Sequence, residues 1–370
     1  MTIYLVNIVA TAILSSIIQS EYDENGIETY QSKRKKRICL FLIFAIWVSI
    51  YAFRGVTGSD STVYRVQYQS LFSGQKTVSE VGVTLRSTVF AYLLSWCASF
   101  SNGSWIFFCF ISGVLIYLPI IILIYKKSED VNLSCLLYIF TLSYYFGFNG
   151  IRQAIAGSFA MLGYYVFLRE KKLVKYAIIV LLAYLFHSGA ILAVPFQLLS
   201  LKKLKSVSTW VILTPFFAAS FFLKDIWGTV VGAFNGVTVV TNYEDIFLDP
   251  HGSSIFRVAV WLIPIVLAFV YYTPLKEKYQ DIDSDILMII CGTMFMIYSL
   301  ADSNFSQMSM FFIDVNIILF PKICSVFQEK NKRLLRYILI LVYFSYMTIL
   351  LLNGDGHFYP YKSVWESGMF

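Results

Sequence analysis

Charged residues are scarce in this chain. They make up 14% of its 370 residues, against roughly 25% in an ordinary soluble domain, and 58% of the residues are hydrophobic. That balance excludes a water-soluble globular protein. There is no long polar block, internal repeat, low-complexity linker or glycine-rich phosphate loop, so neither a second soluble domain nor a P-loop nucleotide site is expected. The six cysteines (Cys39, Cys97, Cys109, Cys135, Cys291 and Cys324) lie in or at the ends of apolar segments with no CxxC pair. A disulfide framework and a zinc site are both excluded on that pattern, and no other metal-ligand cluster is visible. The first apolar run, MTIYLVNIVATAILSSIIQS, has neither a basic start nor a small-residue cleavage site, and reads as a retained span. The net charge of +7 needs no nucleic acid to explain it, because Lys and Arg gather on the cytoplasmic side of membrane proteins.

What is present is a series of apolar runs from end to end, each about long enough to cross a hydrocarbon core of roughly 30 Å. The expected fold is an all-α, polytopic integral membrane protein forming one domain over residues 1–370. The run KRKKR, residues 33–37, follows the first span and should be cytoplasmic, which puts both termini outside. If residues 83–100 crossed the membrane, the basic sites YKKSED and REKKLVK would both fall outside. Reading that segment instead as an interfacial amphipathic helix gives about twelve membrane segments, with extracytoplasmic loops near residues 54–104 and 224–256. Of the 29 basic residues, 21 then lie inside, and those are mostly lysine, whereas five of the eight outside are arginine. Arginine's planar fork suits phosphate and carboxylate, while lysines inside serve mainly as topological anchors. Two helices must also fit into about 26 residues between REKKLVK and LKKLK, or roughly 20 Å per arm. Their turn, FHSGA, places His187 at its tip.

Three polar stretches stand out against this background. In YAFRGVTGSDSTVYRVQY, residues 51–68, Arg54 and Arg65 flank a short loop with no acidic run to neutralise them, which suits an anionic ligand. Asp60 is a candidate catalytic carboxylate or, equally, the cap of a helix beginning near Thr62. In FNGIRQAIAGSFAMLGYY, residues 148–165, the polar Asn149, Arg152 and Gln153 open an apolar helix, and such residues are costly in lipid. Asn149 and Arg152 share a face, and Ala156, Ala160 and Gly163 continue a small-residue stripe for a neighbouring helix. An arginine snorkelling to the interface is the competing reading. His187 falls at the same outer end as Arg152, setting a titratable base beside a cation, although a lone membrane histidine more often packs and hydrogen-bonds.

Other features are weaker. Asp314, in MFFIDVNIILFP, looks intramembrane and must be protonated, paired or hydrated. The tract NYEDIFLDPHGSS brings Glu244, Asp245, Asp249 and His251 to the largest outer loop, where a solvated loop is the simpler reading. Tyr51, Tyr64, Tyr68, Tyr144 and Tyr145 cluster near the polar motifs, as platforms on which sugar rings could stack.

FRGVTGSDSTVY, then NGIRQAIAGS, then LAYLFHSGAILAVP, in that order and at those separations, resemble the EpsG family of exopolysaccharide and O-antigen (Wzy-type) polymerases. The likeness covers the chain to about residue 200. Beyond that it rests on hydropathy and on MFFIDVNIILFPKI, where Gln307 and Met308 stand in place of the arginine usual before the aromatic pair. The resemblance implies a multi-pass enzyme of the bacterial cytoplasmic membrane, a glycosyltransferase that links oligosaccharide units carried on undecaprenyl diphosphate; with no metal-ligand cluster visible, metal-independent transfer without cofactors is expected. A chain-length regulator would be its protein partner. Arg152 and then Arg54 are the first candidates for the diphosphate, Arg65, Asn149, Gln153 and Tyr64 for further substrate contacts, and His187 or Asp60 for the base. A flippase for the same lipid would distribute polar groups through the membrane depth, whereas nearly all of these gather at one end. A membrane acyltransferase would need an acyl donor from the cytoplasm, and His187 is expected to face outward.

Overall fold

The computed structural model describes residues 2–18, 29–215, 217–218, 253–301 and 304–366. Its helices, in chain order, are α1 (Thr2–Ser16), α2 (Tyr30–Ala52), α3 (Ser61–Phe72), α4 (Val78–Thr84), α5 (Thr88–Phe100) and α6 (Trp105–Lys127). Then come α7 (Val131–Phe140), α8 (Ser143–Asn149), α9 (Ile151–Gly163), a π-helical turn (Tyr164–Leu168), α10 (Leu173–Phe186) and α11 (Ala190–Leu199). The later part holds α12 (Ile255–Val270), α13 (Tyr272–Lys278), α14 (Ile282–Tyr298), α15 (Asn304–Ser309), α16 (Asn316–Cys324) and α17 (Glu329–Leu352). Among the described residues the only extended pairing is an isolated bridge between Arg54 and Ser363.

The all-helical expectation holds, but among the described residues twelve spans are not reached. By length and composition, three described segments can cross a membrane (Trp105–Lys127, Phe305–Cys324 and Glu329–Leu352), or five if the bent pairs α7–α8 and α12–α13 each count as one. The shortfall has physical causes: α2 carries its basic run inside the helix, and α1, α5, α10 and α11 are only 10–15 residues long. At 1.5 Å per residue, α10 and α11 are roughly 21 and 15 Å long, so the short pair expected between the two basic sites is present.

Packing groups the chain into two compact units, residues 1–191 with 327–370, and residues 192–326. In the first, α2 packs on α6, α6 on α9, α9 on α10, and α1 on α2 and α7. The small-residue stripe permits the α9–α10 approach: a Cβ on Gly163 would sit 2.4 Å from Ile179 Cγ2. Around α2 and α6 lies an aromatic core, with Trp47 stacked on Tyr138 and Tyr117 on Tyr144. Its hydroxyls find backbone partners, two on the short helix α8 and one within α2. Tyr51 Oη donates to Gly147 O at 3.0 Å, Tyr117 Oη to Tyr144 O at 3.0 Å and Tyr144 Oη to Trp47 O at 2.8 Å. Tyr51, Tyr64, Tyr68, Tyr144 and Tyr145 are therefore buried in the core, not open to stack on sugars as expected.

This unit has two chemically distinct ends. At one, Arg37 Nε donates to Tyr125 Oη at 3.0 Å and Lys127 pairs with Glu170 at 3.1 Å, which gathers the basic run, the end of α6 and the start of α10. Its opposite end carries Arg54, Arg152 and His187; α2, at 23 residues, separates the two by roughly 34 Å. Residues 83–100, expected as one amphipathic helix, form parts of α4 and α5. The chain breaks at Arg86 (φ 50°), and Ser87 caps α5 by accepting from Phe90 N–H at 3.2 Å. Its hydroxyl donates to Leu185 O at 2.9 Å, tying the break to the end of α10.

In the second unit α14 is buried along most of its length. Lys322, one of the lysines counted to the inside, is enclosed, pairing with buried Asp285 at 2.8 Å and with Asp281 at 3.2 Å. Lys276 pairs with Asp283 at 3.0 Å, and Tyr272 Oη donates to the same carboxylate at 2.8 Å. Asp314 is buried in the turn Ile313–Val315, and Gln307 and Met308 lie on α15. Glu244, Asp245, Asp249 and His251 lie outside the described residues.

Candidate active site

Residues 53–60 leave α2 and return to α3 around a fully buried arginine. Arg54 Nη1 donates to Phe148 O at 2.6 Å, Ser61 Oγ at 2.8 Å and Thr57 O at 3.1 Å, and its Nη2 to Tyr51 Oη at 3.1 Å. The guanidinium also lies 4.3 Å from the Tyr51 ring centroid and 5.2 Å from that of Phe148. None of these partners is a carboxylate. The expectation that Arg54 meets a diphosphate is corrected by this enclosure: its charge is met by carbonyls, hydroxyls and π faces, and it folds the loop onto α8.

Gly58 allows the closest approach. With φ at +97°, a Cβ there would stand 2.7 Å from Phe148 O, so the turn demands glycine twice over, for conformation and for space. From the other side, residues 354–365 strap the loop down. Gly55 N–H donates to Lys362 O at 2.7 Å, Gly58 N–H to His357 O at 3.1 Å and Ser59 N–H to Gly356 O at 3.3 Å. Tyr361 Oη reaches Ile50 O at 2.8 Å, and Trp365 stacks on Phe53. Sequence reasoning missed this strap, because its contacts are largely to backbone.

Asp60 ends the loop as the residue before α3, but its side chain makes no cap hydrogen bond. The capping alternative therefore fails, and the carboxylate is left at the surface. Asn149, on the last turn of α8, accepts from the Asp60 N–H and from Ser59 Oγ, each at 2.7 Å. One turn into α3, Tyr64 stands edge-on to Phe90 and takes a long, 3.4 Å hydrogen bond from Arg152 Nε. Arg152 Nη1 donates to Leu85 O, a carbonyl exposed by the α4–α5 break. With two contacts made and five N–H donors on a guanidinium, Arg152 keeps donors for an anion.

His187 closes α10 and lies in the field of Arg152. Burial first, and that guanidinium second, push its imidazole down to about 4, so it is neutral at ordinary pH. Its Nδ1 accepts the Gly189 N–H at 3.1 Å, which sets the hydrogen on Nε2. Asp60 shifts the other way: although the residue reaches the surface, the protein packed around its carboxyl raises it above the usual carboxylate value, opposed by the Ser59 hydroxyl 3.3 Å away and by Arg152.

The fold thus brings Asp60, Tyr64, Asn149, Arg152 and His187 together from three separate stretches, with the Leu85 carbonyl as an unforeseen member. Arg65, half-exposed on α3, has no hydrogen-bond or ion-pair partner among the described residues. Gln153 is buried in α9. No three His, Cys, Asp or Glu side chains gather to hold a metal among the described residues.

Short and broken apolar helices, with an arginine, a carboxylate and a histidine gathered at one end of a unit, mark a helical integral membrane protein. The chain belongs to the EpsG family, whose model matches residues 37–363. That match extends far beyond the motifs of the first 200 residues and takes in most of the strap. Family membership indicates a polysaccharide polymerase of glycosyltransferase type. No curated protein and no solved structure matches the chain.

Proposed function

We propose that this protein joins oligosaccharide repeat units carried on undecaprenyl diphosphate into a bacterial surface polysaccharide, at the extracytoplasmic face of the cytoplasmic membrane. The observation that carries the reading is the convergence of Asp60, Arg152 and His187 at the end of the unit opposite its lysine-rich face. By the positive-inside rule the lysine-rich end is cytoplasmic, and the site then faces outward.

In the reaction, a sugar hydroxyl of the acceptor unit loses its proton to the Asp60 carboxylate as its oxygen attacks the anomeric carbon of the donor glycan. The bond from that carbon to the diphosphate breaks, and its electron pair leaves with undecaprenyl diphosphate. Arg152 and the His187 Nε2–H meet the charge growing on the leaving group. Asp60 is favoured over His187 as base because the Nδ1 of His187 already accepts a hydrogen bond. In this reading guanidinium and imidazole donors supply the stabilisation that a metal supplies elsewhere.

The test is glycan analysis in a strain lacking the gene, complemented with wild type, Asp60→Asn, Arg152→Ala or His187→Ala, with membrane expression verified. Single repeat units on lipid at the outer face, with long polymer restored by wild type alone, support the reading. Units trapped on the cytoplasmic face instead identify a flippase. Full rescue by all three variants returns these residues to helix packing.

A further inference from the structure

Asn149 was expected among the substrate contacts, but its amide oxygen is engaged by the chain's own Ser59 and Asp60. Building on the proposed glycosyl transfer, we infer that Asn149 is a positioning residue, whose amide oxygen latches the Asp60 loop and draws the Ser59 hydroxyl away from the Asp60 carboxylate. Two distances carry this. Ser59 Oγ lies 2.7 Å from Asn149 Oδ1 and 3.3 Å from Asp60 Oδ1. A hydroxyl has one hydrogen to give, and the nearer acceptor takes it. The same amide oxygen accepts the Asp60 N–H at 2.7 Å, so one atom fixes both the backbone and the hydroxyl beside the carboxylate.

The surroundings make that single atom decisive. Gly58 already touches the Phe148 carbonyl, one residue before Asn149, and the strap holds the loop's other face through the carbonyls of Gly356 and His357. Asn149 is thus the one side chain of α8 that reaches the Ser59–Asp60 step through hydrogen bonds. The ionisable groups acting on Asp60 are Arg152 from α9 and Tyr64 from α3, with His187 coupled through Arg152 and His357 touching the loop by its backbone.

Two substitutions then push in opposite directions. Without the amide, the Ser59 hydroxyl, now 3.3 Å from Asp60 Oδ1 and shared with Asn149, gives its hydrogen wholly to that carboxylate, and the stronger hydrogen bond to the charged form makes it a weaker base at a lower pKa. In Asn149→Asp the carboxylate keeps both hydrogen bonds but sets a like charge beside Asp60, which raises its pKa.

The experiment uses the full-length protein in liposomes, with lipid-linked repeat units extracted from the strain lacking the gene as substrate. Rates are measured from pH 4 to 9. For Asn149→Ala, kcat falls about tenfold at neutral pH, KM stays within about twofold, and the acid limb of the profile moves down. For Asn149→Asp the acid limb moves up, by about one pH unit. Adding Ser59→Ala to Asn149→Ala abolishes the downward movement. A raised KM at unchanged kcat makes Asn149 a substrate ligand and overturns the inference, as do limbs that stay fixed or move the same way. If Asn149→Ala does not fold, Asn149→Asp, which keeps both contacts, decides alone. Asp60→Asn separates the two levels: if it remains active, the base assignment itself is wrong, whereas an inactive Asp60→Asn with unmoved limbs defeats only the latch.

Discussion

Replacing Arg54 should unfold the loop before it affects chemistry. The side chain is wholly enclosed and makes four hydrogen bonds of 2.6–3.1 Å, three from Nη1 alone. A hydrogen bond to a charged group contributes roughly 1.5–3 kcal/mol net, and the four are not additive. Ser61 Oγ also lies 2.6 Å from Thr57 O and 2.9 Å from Phe148 O, so after truncation it still satisfies one of those two carbonyls. With the vacated volume included, Arg54→Ala should cost about 4 kcal/mol. Arg54→Lys, with a compact ammonium that lacks the flat fork over Tyr51, should cost about half of that. The assay is the midpoint for loss of monodisperse protein on heating in detergent, expected to fall on the order of 10 °C for the alanine variant. An alanine variant that melts within about 2 °C of wild type yet makes no polymer would refute this, and would return Arg54 to the diphosphate.

Gly58→Ala combines an unfavourable φ with a clash against the Phe148 carbonyl, and should lower the same midpoint and abolish polymer, while Gly74→Ala, which shares the positive φ at +72° but has nothing near its Cβ, should lower the midpoint less, the difference reading the clash. The acid limb of the wild-type rate profile should lie above the usual carboxylate value, because activity is lost as falling pH protonates the raised Asp60. No second limb should occur near pH 6.5, since His187 stays neutral down to about 4; a limb there that disappears in His187→Gln would make the imidazole the base. Arg152→Lys should fail nearly as badly as Arg152→Ala, because an ammonium lacks the planar fork of donors; full-length polymer from the lysine variant would show that the fork is not needed. Lys322→Met leaves Asp285 buried without its cation and should destabilise by about 3–5 kcal/mol, whereas Lys322→Met with Asp285→Leu should recover most of it in the same melting assay.

Polar residues in lipid are expensive, and that cost made much of the site legible. Asp60, Arg152 and His187 were conspicuous in apolar surroundings, and the positive-inside rule alone sorted them to one end. Arg54 carried the same signal but a different meaning, since a sequence does not distinguish an arginine aimed at a ligand from one aimed at carbonyls of its own chain. The tyrosines misled for a related reason: their hydroxyls are satisfied by carbonyls of neighbouring helices, Tyr144 O and Trp47 O among them, and no sequence pattern announces those pairings. The Leu85 carbonyl depends on the break at Arg86, a non-glycine residue with positive φ that nothing in its local sequence announces. Helix count suffered most, because hydropathy measures how apolar a run is and says little about where it bends.

The strap has a consequence for how the protein is made. Thr57 and Lys362 exchange hydrogen bonds across 305 positions of chain, and the carbonyls that hold Gly58 and Ser59 belong to residues just before Lys362. The loop bearing Asp60 is translated early, yet it is not clamped until the ribosome has passed residue 364. A nascent or prematurely terminated chain can thread most of its helices into the bilayer and still hold its carboxylate out of register. The order of synthesis thus leaves the clamping of an early loop to a strap about three hundred residues downstream.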